Sequence, residues 1–162
     1  HLAFSQGWEK KDKVDEFGDP TGETLLELTA TGTFSNSASS NADLTAYLSF
    51  SNGLLMIQLI EYNRHVQKSL MYGDETCFGT IKVKDRTTNE VTEYKAMLMK
   101  SAIVFPSFEK AGKSKDLQQC AKFYDYMDIM RTKSLDITVL IRLSDFCKDA
   151  RGSSRYQFDI KY

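Results

Sequence analysis

Leu135-Asp136-Ile137-Thr138-Val139-Leu140-Ile141-Arg142-Leu143 is the stretch that decides the fold. Leu135, Ile137, Val139, Ile141 and Leu143 fall on one side of an extended chain. Asp136, Thr138 and Arg142 fall on the other, with Leu140 the exception. Successive side chains of a strand point to opposite faces, so this period of two reads as a strand with one oily and one wet face. Strands of that kind belong to antiparallel sheets packed on one side only.

The same alternation recurs in both directions from this stretch. Tyr156, Phe158, Ile160 and Tyr162 alternate with Arg155, Gln157, Asp159 and Lys161. Leu26, Leu28, Ala30 and Phe34 alternate with polar residues across Thr24–Phe34, as do Leu44, Ala46, Leu48 and Phe50 across Asp43–Phe50. Leu54–Tyr62 is apolar on both faces and predicts a central strand covered on both sides. Asn52-Gly53 ahead of it is the dipeptide of a two-residue hairpin turn. Thr80–Lys84 and Val91–Met99 predict a second hairpin across Asp85–Glu90, and Ala102–Phe105 a short strand stopped by Pro106. One segment departs from this period. Leu117, Cys120, Tyr124, Met127 and Arg131 recur at helical spacing behind Ser114, a capping residue, so Ser114–Thr132 predicts one amphipathic helix. The expected architecture is therefore all-β: a single-domain antiparallel β-sandwich or jelly-roll-like fold over residues 8–162, with one helix at about 114–132.

The composition suits such a domain and narrows the function. The chain has 162 residues, 41% hydrophobic and 27% charged, with 22 acidic against 21 basic side chains. A formal charge of −1 gives no bulk attraction to nucleic acid or anionic lipid. No apolar run approaches the roughly 18 residues of a membrane helix. Residues 1–7 read as the remnant of an export signal or of an artificial chain end. Ala3 and Ser5 are small residues spaced as signal peptidase reads them, just before Gln6.

Motifs of known chemistry are missing: no HExxH, no GxSxG, no phosphate loop and no dinucleotide glycine pattern. His1 and His65 are the only histidines, and His65 beside Arg64 reads as a surface residue. Asp15, Asp19 and Glu23 recur at every fourth position among Gly18, Pro20 and Gly22. They are a weak Ca²⁺ candidate, set against a plain turn. No other metal and no cofactor is expected. Glu61 and Glu93 are the carboxylates considered for glycoside hydrolysis, with nothing in the sequence to bring them together. Trp8, Tyr47, Tyr62, Tyr72, Tyr94, Tyr124 and Tyr126 are the rings considered for a sugar-stacking platform, and Tyr47, on the polar side of its strand, is the best candidate for an exposed one. Lys110, Lys113 and Lys115, with Lys148, Arg151 and Arg155, would make a modest basic patch if their loops converged. Cys77, Cys120 and Cys147 allow three pairings with one thiol left over; they also suit small buried hydrophobes.

Three stretches carry a resemblance: Val14-Asp15-Glu16-Phe17-Gly18-Asp19 with Thr21-Gly22, then Gly32-Thr33-Phe34-Ser35-Asn36-Ser37-Ala38, then Leu59-Ile60-Glu61-Tyr62. The early Trp8 and the closing Ser153-Ser154-Arg155-Tyr156-Gln157-Phe158-Asp159-Ile160 add to it. Together they resemble an uncharacterised family of small exported β-rich proteins of Gram-negative bacteria. The resemblance implies export and a compact β-rich domain, and it brings no activity and no catalytic residue. The expected function is a non-enzymatic binding or accessory domain acting through protein–protein contacts at the periplasm or cell surface. A carbohydrate-binding module built on exposed aromatics is the alternative, and a carboxylate-based hydrolase the third. The expected partner is a protein or a glycan, with no nucleic acid and no membrane span.

Overall fold

The alternating stretches pair into one antiparallel sheet that returns to its own starting strand. The computed structural model describes residues 7–62, 77–99, 102–147 and 154–162. In chain order the elements are β1 (Glu9–Val14), β2 (Pro20–Ser35), β3 (Ala42–Ser51), β4 (Leu54–Glu61), β5 (Cys77–Asp85), β6 (Val91–Leu98) and β7 (Ile103–Pro106). They continue with α1 (Phe108–Ala111), α2 (Lys115–Met130), β8 (Asp136–Arg142) and β9 (Arg155–Lys161). The strand order is β1-β2-β3-β4-β7-β6-β5-β8-β9, with a further pairing of β2 to β9. β2 to β9 thus form a closed ring of eight strands. β5, β6 and β7 follow one another as a meander, and β8 returns by a long connection to lie beside β5. That order is a Greek key, and the long connection carries both helices.

The expected all-β, antiparallel, single-domain architecture holds. The two layers predicted to clamp an oily interior are opposite walls of one closed sheet. Alternation identifies the walls because every second residue points inward. Leu44, Leu48, Ile57, Ile81, Ile137 and Phe158 are among the side chains with 1% exposure or less. A ring of this strand number is just wide enough for side chains to fill. Among the described residues no polar or charged residue is buried.

Local rules account for the connections. Asn52 and Gly53 both have positive φ (51° and 71°), the paired left-handed geometry of a type I′ turn, and Ser51 and Leu54 pair across it. Asp85 turns the β5–β6 hairpin by accepting from the amides of Thr87 and Thr88. Ser114 caps α2 by accepting from the Leu117 amide at 3.2 Å. The helix runs from Lys115 to Met130, within the expected 114–132. It fills a real gap: β6 and β7 pair only at Met97–Val104 and Leu98–Ile103. Cys120, Phe123 and Met127 of α2 are fully buried there, and Phe123 packs 4.6 Å from the Phe105 ring. β4 meets expectation on one face and in part on the other. Leu55, Ile57 and Leu59 are inside as predicted; on the outer face Ile60 is buried, while Leu54 and Met56 are only half-buried.

Aromatics close the end of the barrel near α2. Trp8 is buried, lies 5.2 Å from Phe50, and donates its indole N–H to the Tyr162 hydroxyl at 3.0 Å. Tyr162 in turn donates to the Met130 carbonyl at 3.2 Å. Near the opposite end, Cys77 and Cys147 form a disulfide with a Cα separation of 5.5 Å, and Cys120 remains a buried free thiol. Of the two sequence readings for cysteine, the small buried hydrophobe describes Cys120 alone. No helix among the described residues is long and apolar enough to cross a membrane.

Candidate functional site

With the interior apolar, the surface must carry whatever this protein does, and two features stand out. The first is an arm. β1 pairs with β2 from Glu9–Glu27 to Val14–Pro20, on the side where β9 pairs at Gly32–Ser35. β1 therefore follows β9 along the same edge of β2, with residues 28–31 paired to neither. β3 pairs with β2 only from Leu26 onward. Pro20–Leu25 and β1 thus form a two-stranded ribbon with no third strand on either side among the described residues. Ion pairs cross the ribbon from Lys11 to Glu27 at 2.7 Å and from Lys13 to Glu23 at 3.4 Å. At its tip the Asp15 carboxylate accepts from the amides of Phe17 and Asp19, and Gly18 takes a positive φ of 85°. That turn holds the Phe17 ring in solvent at 82% exposure, with Val14 beside it at 59%. Unpaired strand edges and an exposed ring are features that folded proteins usually hide.

The second feature is a groove on the outer wall, with a volume of about 560 Å³, lined by Lys82, Lys84, Arg86, Val91, Leu140 and Gln157 together with Asn89 and Thr138. Strand register builds it. Lys82 pairs with Glu93 and Leu140, and Leu140 with Gln157, while Lys84 pairs with Val91 and Thr138. These outward positions therefore stand in two neighbouring rows. Arg86 is held by Asp136 and, at 2.7 Å, by Asp159. Lys82 has a loose partner in Glu93 at 3.7 Å, and Lys84 has no carboxylate partner among the described residues.

The residues singled out from the sequence fall elsewhere. Tyr47 is half-buried on the outer face of β3, between Thr29 and Gln58 in register. Trp8 is buried, while Tyr94, Tyr124 and Tyr126 are half-buried against the core, so packing takes up most of the proposed aromatic platform. Tyr62 lies edge-on to Phe34 at 4.8 Å, and Tyr72 lies outside the described residues. Asp15, Asp19 and Glu23 do not assemble a cation site. Asp15 spends an oxygen on the turn and Glu23 pairs with Lys13, and among the described residues no group of three such side chains could hold a metal. Glu61 accepts from the Tyr156 hydroxyl at 2.8 Å while Glu93 faces Lys82, so the two carboxylates serve different partners. Burial first, and Glu61 second, push the Tyr156 phenol well above its ordinary range, which keeps it a neutral donor. Lys110, Lys113 and Lys115 are exposed, and Arg155 donates to Gln157 at 3.1 Å. Lys148, Arg151, His65 and residues 1–6 lie outside the described residues.

Sequence reasoning missed both features. Glu9-Lys10-Lys11-Asp12-Lys13-Val14 has no alternation to betray a strand, since neither of its faces is buried. The groove was readable in part: Lys82 and Lys84 occupy alternate positions of a strand, so they share a face. Set against protein families, curated proteins and solved structures, the chain finds no match.

Proposed function

We propose that this protein is an exported binding or accessory domain that works through protein–protein contact, with the β1–β2 arm as its contact element. The observation that carries the reading is the arm itself: a ribbon with both edges open among the described residues, tipped by an exposed phenylalanine, on a barrel whose described interior is apolar. Open edges offer backbone donors and acceptors to a partner strand, and an exposed ring offers an anchor. The Cys77–Cys147 disulfide supports an oxidising compartment such as the periplasm or cell surface. The resemblance to small exported β-rich proteins of Gram-negative bacteria points the same way.

A photocrosslinking amino acid placed at position 17 in cells tests the contact. The expected result is a discrete crosslinked protein that is absent when the probe sits at Thr29 on the barrel wall. Absence of any position-17 product would overturn the reading. Thiol labelling of whole cells before and after reduction tests the location: Cys77 and Cys147 should react only after reduction. Tyr47, the half-exposed ring on the β3 wall, keeps a glycan-binding reading in view. Glycan binding lost in Tyr47→Ala and kept in Phe17→Ala would favour that reading instead.

A further inference from the structure

The contact reading leaves the partner open, and the inference here rests on that reading and names one. We propose that the arm tip docks into the outer groove of a second copy of this chain, joining copies head to tail.

The two surfaces complement each other in shape class and in charge. The tip presents one phenyl ring, Phe17, between Glu16 and Asp19. Neither acid has an ion-pair partner among the described residues. The groove presents Val91, 58% exposed, and Leu140 as apolar lining on the two strands that flank Lys82 and Lys84. Lys84 has no carboxylate partner among the described residues, and Lys82 is held only loosely. Arg86, already bound by Asp136 and Asp159, forms a wall and does not receive the incoming acid. A cavity of about 560 Å³ has room for a phenyl ring. An aromatic plug flanked by acids thus meets a partly apolar socket beside a lysine, none of these charges having an ion-pair partner among the described residues.

Plug and socket are different patches of the same chain, and in the structure Phe17 stands in solvent instead of in its own groove. Such an interface is heterologous: each copy uses its arm on one neighbour and its groove on another, which builds rings or open rows. A hairpin tip covers less area than a standard interface, so association is concentration-dependent. Its ionic part weakens with salt.

Sedimentation of the purified chain from micromolar to millimolar concentration tests the proposal. The average mass should rise above the 18.4 kDa of one chain and fall back as salt is added. Phe17→Ala and Lys84→Glu should each weaken association about ten-fold or more. Both positions are exposed, and unchanged circular dichroism and melting temperature confirm the fold, with Lys84→Ala as the milder groove variant. Mixing the two variants is decisive. The intact arm of Lys84→Glu should enter the intact groove of Phe17→Ala and give a one-to-one heterodimer that grows no further. A wild-type chain that stays monomeric, an association that both variants leave unchanged, or a mixture that fails to pair would each overturn the proposal. A monomeric wild type whose position-17 probe still captures another envelope protein overturns self-docking and leaves the contact reading standing. A monomer without any position-17 product overturns both.

Discussion

Gly32 is where the ring closes, and it shows how little room the closure leaves. A Cβ built there would overlap the Gln157 carbonyl oxygen and lie 2.7 Å from the Phe158 Cα. Both are backbone atoms of β9, which cannot move without breaking the β2–β9 pairing. Gly32→Ala should therefore cost about 3 kcal/mol or more, read as a lower urea midpoint, far beyond the usual effect of adding one methyl. Buried titratable groups give a second residue-scale prediction. Burial raises the Cys120 thiol from 9.0 to about 11 and the Tyr126 phenol from 10.0 to about 12. It raises Tyr94, Tyr124 and Tyr156 as well. A raised value means that the folded state holds its proton longer than the unfolded chain does. The contribution is thus complete below the unfolded values and declines as pH rises through the folded ones. These groups should therefore take stability away only above about pH 9 for the thiol and above about pH 10 for the phenols. In Cys120→Ala the thiol's share of that fall, which begins at about pH 9 and ends at about pH 11, should be missing from an alkaline series of urea midpoints.

Elements add their own dependencies. α2 plugs the gap that β6 and β7 leave, and Ser114 sets its first turn, so Ser114→Ala should cost about 1 kcal/mol in chemical unfolding. The disulfide ties the start of β5 to the segment after β8, across a sequence separation of 70. Closing so long a loop stabilises by about 4 kcal/mol in the chain-entropy account. Unfolding with and without a reductant should show a shift of that order, whereas Cys120→Ala should leave the reductant's effect in place. The elements also show what was legible in the chain. β8 and β9 were readable because one face of each is greasy at every second residue, and α2 because Ser114 precedes a helical stripe. β1 was not, since a strand that buries nothing has no pattern to read. β2 is legible only from about Thr24, next to the first half-buried residue, Leu25; its exposed opening stretch from Pro20 to Glu23 has no pattern to separate it from a loop. The cysteine pairing was equally invisible, because bringing Cys77 to Cys147 depends on β5 lying beside β8, a non-local fact. The candidate site was the least legible. Tyr47 lies on the wet face of its strand, yet the exposed ring that stands out is Phe17, on a tip whose neighbours read as turn formers.

At the scale of the whole molecule, the closed sheet divides the chain into two grades of stability. Most of β3, the first half of β4 and the middle of β8 are paired on both edges, whereas the arm has only its own cross-pairing and two exposed ion pairs. Amide exchange should therefore be fast through Lys10–Glu23 by local opening, while inward-facing positions of β3, β4 and β8 exchange only with global unfolding. Protection of the arm equal to that of β8 in a dilute, monomeric sample would contradict this division. The closure has a consequence in time as well. Gly32 pairs with Phe158, so an early strand waits for one of the last before the wall is complete. A nascent chain leaving the ribosome has no ring to close until β9 emerges, and contacts so distant in sequence make for slow folding. A polypeptide that stays loose for so long is easily threaded through a narrow pore before it sets.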